Sequence, residues 1–220
     1  MTYFSYFKAE FLVLLRRKQD VINALLFFIT VIVLFPLGVS PSPIFLAPAA
    51  GGIIWCALVL AILMAIESMF KEDYNDGSLE QLVVSGLSLP LLVLLKILVL
   101  WSVIVIPLLL MLPLLSAMLY LPEGSFWVLV ATLLVGSPSL FLIGAIGSAL
   151  TVSLKQGAML MLLVILPFYL PVVVFATGAI KAAQEGLPYS GLLAMLLAIS
   201  LLSLVLSPVM TAISVKASVN

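Results

Sequence analysis

The chain has 220 residues, of which 65% are hydrophobic and only 8% charged, and its nine basic and nine acidic side chains leave no net charge. Soluble domains carry roughly 25% charged residues. A chain this poor in charge, with a mean hydropathy of +1.41, lacks the polar surface to stand in water and is read as dissolved in lipid. Zero net charge does not suggest a nucleic-acid partner. The absence of histidine removes the commonest metal ligand and general base, and the single cysteine excludes an internal disulfide.

In lipid every backbone polar group needs an internal partner, so the spanning elements are helices or a closed barrel. The apolar runs here are long and continuous rather than alternating, which predicts an all-α, polytopic membrane protein forming one transmembrane domain over residues 1–220. Residues 1–19 come first. The first 20 residues hold Lys8, Glu10, Arg16, Arg17, Lys18 and Asp20, too much charge for the apolar core of a cleavable signal. Wound as a helix, this segment gathers Tyr3, Phe4, Phe7, Phe11, Leu14 and Leu15 on one face, the pattern of an amphipathic helix lying in the membrane interface.

About six spans follow, near residues 21–39, 50–70, 89–120, 126–154, 157–180 and 190–212. Cys56 falls in mid-span and reads as a small buried hydrophobe. Lys96 lies near the start of the third span, within snorkelling reach of the interface. Prolines punctuate the later spans: Pro107 and Pro113, then Pro138, then Pro167 and Pro171, then Pro208. Because each removes a rung of the helix ladder, spans five and six are candidates for a broken or re-entrant piece. Lys8, Arg16, Arg17, Lys18, Lys71, Lys155 and Lys216 all fall at one end of this arrangement, and only Lys181 at the other. By the positive-inside rule both termini are expected in the cytoplasm.

The longest hydrophilic stretch, Glu67–Ser88, holds the loop 71–88 and the acidic residues Glu67, Glu72, Asp73, Asp76 and Glu80. Gly77 permits a sharp reversal. Ser78 and Gln81 match a capping box for a short helix carrying Leu79, Leu82 and Val83 on one stripe. The spacing allows a docking element, with that stripe facing a partner, or a connector whose leucines rest on the bilayer. The carboxylates are consecutive on a wet loop with no second cluster to meet them, so a cation site is not expected. No phosphate-cradling GxxxxGK[ST] loop is present, so any ATPase must be another chain.

Several stretches carry a resemblance: LFPLGVSP (34–41), GGIIW (51–55), DGSLEQL (76–82) after an acidic FKEDYN, GSPSLFLIGAIGSALTVSLKQG (136–157) and FATGA (175–179). Together they resemble the CcmB, or haem exporter protein B, family of the cytochrome c maturation system. The resemblance implies a bacterial inner-membrane permease subunit like those of type-2 ABC exporters. It implies a second copy of the chain, a separate CcmA-like ATPase, CcmC-like and CcmD-like membrane partners, and indirect service to a CcmE-like periplasmic haem chaperone. Under it, Asp76, Gly77, Ser78, Leu79, Glu80, Gln81, Leu82 and Val83 form the coupling helix that docks on the ATPase.

Haem is ordinarily held by histidine, cysteine, methionine or tyrosine. Met159, Met161 and Tyr169 are the candidates in span five, yet such residues in lipid more often serve packing. No cofactor is therefore expected to bind this chain directly, with haem handled by the complex and ATP by the partner. The expected role is mechanical transmission of ATPase motion. The competing readings are an exporter of another amphiphile, such as a lipid, and a structural scaffold.

Overall fold

The computed structural model describes residues 3–16, 18–154 and 157–219, so the basic residues Arg17 and Lys155 lie outside the described residues, as do the side chains of Phe4, Leu15, Arg16 and Lys18. All elements among the described residues are helices. In chain order they are α1 (Tyr3–Arg16), α2 (Lys18–Gly38), α3 (Pro43–Glu67), α4 (Lys71–Asn75), α5 (Ser78–Val84), α6 (Leu89–Met118), α7 (Glu123–Thr151), α8 (Gly157–Gln184) and α9 (Ser190–Val219). Six of them, α2, α3 and α6 to α9, are long and apolar enough to cross a bilayer.

The helices begin and end close to the apolar runs, except that α9 runs on past 212 to Val219 and the start of the second span is displaced. The second span starts at Pro43 and not near residue 50. Ser42 is extended (φ −71°, ψ 127°) and Pro43 occupies the first turn, where the missing N–H has no intrahelical duty. The prolines of α8 and α9 do not break them either: both helices are continuous, over 28 and 30 residues. A proline inside a membrane helix is tolerated where neighbours close around the freed carbonyl. Cys56 also departs from expectation, being exposed on the outside of the bundle. A small thiol facing hydrocarbon loses nothing by exposure, since lipid replaces protein as its apolar surroundings.

Helix α7 is the axis of packing and touches α3, α6, α8 and α9. Its glycines let neighbours come close. An added Cβ at Gly136 would stand 2.8 Å from the Trp55 ring, one at Gly144 would meet Ile66 and stand 2.5 Å from the Tyr169 hydroxyl, and one at Gly147 would run into Ile165. Small residues at such crossings maximise dispersion contact, the main attraction between helices in lipid. Polar side chains add short links to the same helix. Ser200 donates to the Val135 carbonyl and Ser207 to the Leu142 carbonyl. The Trp101 indole donates to Ser137 at 2.9 Å and the Tyr169 hydroxyl to the Leu140 carbonyl at 2.6 Å. With six alternating spans, α1, α4 and α5 gather at one end of the bundle, which also holds the described basic residues Lys8, Lys71, Lys96 and Lys216.

Candidate functional site: the α4–α5 end

Past α3 the chain turns through Phe70, which is buried, and enters α4. The reversal into α5 is made at Gly77, whose φ of +75° lies in the left-handed region that glycine occupies without penalty. The expected capping box is not formed. The helix starts one residue earlier, with Gly77 as its N-cap and no side-chain cap bond. The Ser78 amide instead donates to the Asp76 carboxylate at 2.9 Å, and the Ser78 hydroxyl reaches back to the Asp73 carbonyl at 3.4 Å. Asp76 takes the amide because a left-handed residue between them folds its short carboxylate onto the chain, as in an Asx turn.

The apolar stripe of α5 also lies the other way round from the expected one. Leu79 is 1% exposed and Leu82 and Val83 are half-buried. With Tyr6, Phe70, Leu89, Val93 and Val215, Leu79 and Leu82 enclose a small apolar seat. The stripe therefore fastens α5 to its own chain, against α6 and α9. Outward-facing positions are Asp76, Glu80, Gln81 and Val84, the last 80% exposed. The physical reason is economy of apolar surface: a seven-residue helix cannot hold its place without burying one face.

Next to this seat the structure brings together charges that the sequence left apart. Lys96 of α6 does not snorkel. It is buried and bonds to Glu10 of α1 at 2.5 Å and to Asp73 of α4 at 2.6 Å. The acidic residues of the loop thus separate. Asp73 turns inward, Glu72 lines a cavity of about 40 Å³ with Asp20, Ser68 and Lys96, and Glu67 makes an exposed 3.7 Å pair with Lys71. A second carboxylate does converge on Asp73, and it comes from α1. Tyr6 of α1 is packed beside the cluster. Burial first, then the Glu10 and Asp73 charges, push its hydroxyl well above the ordinary range of tyrosine. The signal available in the sequence was the lysine itself, since an ionisable residue inside an apolar span implies a buried partner.

The haem-ligand candidates do not share a site. Met159 is 71% exposed on the outer surface, Met161 is buried, and the Tyr169 hydroxyl is committed to the Leu140 carbonyl. On the exposed side of α1, Tyr3, Phe7, Phe11, Leu12 and Val13 present an apolar strip, while Tyr6 and Glu10 face α6.

The fold defines a multi-pass helical membrane protein, and among the described residues its buried charge cluster, Glu10, Asp73 and Lys96, lies at one end of the bundle. The family model described as "CcmB protein" matches residues 1–218, and the chain belongs to that family. Proteins named "Heme exporter protein B" are similar along the whole length. The one from Pseudomonas aeruginosa is 45% identical over 207 residues, 94% of this chain and 93% of its own. That from Escherichia coli K12 is 42% identical and that from Haemophilus influenzae 39%, each over 220 residues and all of both chains.

Proposed function

We propose that this chain is the non-catalytic transmembrane subunit of an ABC-type complex of the inner membrane that serves haem export for cytochrome c assembly. A separate, CcmA-like ATPase binds the outward face of α4–α5, and its motion is passed through the bundle to haem-handling CcmC-like and CcmD-like partners. Release of a haem-loaded, CcmE-like chaperone is the step served. The observation that carries this reading is the placement of α4–α5: a short, seated helical pair at the end of the bundle where the basic residues collect. Under the positive-inside rule that end, with both termini, faces the cytoplasm, where ATP is. The relatives named as haem exporters supply the cargo class.

Haem itself has no ready ligand set here, which favours transmission over conduction through this chain. Purified with its ATPase and reconstituted, the complex is expected to hydrolyse ATP faster when haem and the haem-handling partners are added, and not to respond to phospholipid composition alone. A response to lipid without haem would support export of another amphiphile. Bound ATPase that ignores both would support a scaffold.

A further inference from the structure

The buried lysine stands where three separate pieces of chain meet. Glu10 belongs to the N-terminal helix, Asp73 to the short helix four residues before the Gly77 reversal, and Lys96 to the span that begins just after α5. The three side chains are 8–13% exposed, so the attraction is little screened by water. We propose that this cluster is the joint that carries movement of the α4–α5 segment to α1, with Lys96 as the positioning residue that holds both arms. The proposal rests on the reading of α4–α5 as the ATPase-binding segment.

Three features suit the cluster to a joint more than to a plain fastening. Apolar residues of the same volume commonly hold a buried site as well as an ion pair does, so charge is not needed for stability alone. Lysine is a point charge with three rotatable donors on a flexible stem, able to keep contact while its partners shift, where an arginine fork would fix them. Finally, the 40 Å³ cavity beside Glu10, Asp73 and Lys96 leaves space on one side of the charges. Close packing does not lock them on that side. The same lysine borders the apolar seat of Leu79, so a shift of α5 reaches the cluster directly.

Two substitutions cut one arm each while leaving a neutral pair behind. Asp73→Asn keeps Lys96 with Glu10 and releases α4; Glu10→Gln keeps Lys96 with Asp73 and releases α1. Neither Glu10 nor Asp73 lies on the outward face proposed to meet the ATPase. The reporter is a cysteine at exposed Phe11 of α1, in a Cys56→Ala background, labelled with a thiol reagent in the whole complex with and without trapped nucleotide. In the parent protein, nucleotide trapping is expected to change the labelling rate by about a factor of five, in the range of ordinary coupling between sites. Each single-arm variant should retain the ATPase and accumulate normally, yet lose the nucleotide-dependent change. Coupling that survives in both variants, or a parent reporter blind to nucleotide, overturns the joint. So does failure of both variants to accumulate, which would make the cluster a folding element. Absence of the ATPase from the purified parent complex is a separate result, and counts against the docking reading itself.

Discussion

Leu79→Asp is expected to destabilise the isolated chain before any partner is added. Leu79 is 1% exposed, seated among Tyr6, Phe70, Leu89, Val93 and Val215. Losing that burial costs about 1.5–3 kcal/mol. The new carboxylate adds more, because the only cation bordering the seat, among the described residues, is Lys96, already bonded to Glu10 and Asp73. Thermal unfolding of the detergent-purified chain, without ATPase, should therefore shift well below that of the parent. Glu80→Lys, on the exposed face, should leave it unchanged, since exposed charges contribute little. An unshifted transition for Leu79→Asp would mean that Leu79 faces outward, as the family resemblance implies.

Gly144→Ala is expected to be costly for a single methyl group. The added Cβ would come against Ile66 and within 2.5 Å of the Tyr169 hydroxyl. An isoleucine methyl can rotate aside, but the tyrosine ring is held by its bond to the Leu140 carbonyl. Overpacking a core in this way costs about 1–3 kcal/mol. Displacing the hydroxyl leaves that buried donor unpaired, while the Leu140 carbonyl keeps its bond within α7, for a further cost of about 1–3 kcal/mol. Gly52→Ala is the control, because nothing stands within 4 Å of its added Cβ. Adding Tyr169→Phe should recover part of the loss by removing the clashing oxygen, a non-additivity expected of touching residues. Thermal unfolding of the three variants measures this directly; equal stability of Gly144→Ala and Gly52→Ala would refute the close α7–α8 approach.

Much of the fold was legible in composition. Long apolar runs leave a chain in lipid few structures to adopt, and charged or glycine-rich breaks mark their ends. What composition misread were the later prolines, because their effect depends on neighbours: Pro167, Pro171 and Pro208 sit inside continuous helices. The site was half legible. Gly77 and the short helix after it follow from local chemistry, and both are present. The direction of the Leu79 stripe does not, since periodicity shows that a face is apolar but not what covers it. The ion cluster was further out of reach, because Glu10 and Lys96 are 86 residues apart and meet only once α1 lies on α6.

The contact between α5 and the ATPase is tested most directly at Val84, which is 80% exposed at the end of that helix. Val84→Asp touches none of the buried seat and should leave accumulation and unfolding temperature as in the parent. In a desolvated contact an unpaired carboxylate weakens binding by more than the 1.4 kcal/mol that equals a factor of about ten. Co-purification of the ATPase with the Val84→Asp chain should therefore fall about tenfold or more, while Leu187→Asp, at the opposite end of the bundle, should retain it in full. Undiminished ATPase with Val84→Asp, or its loss with Leu187→Asp, would contradict docking at the α4–α5 end.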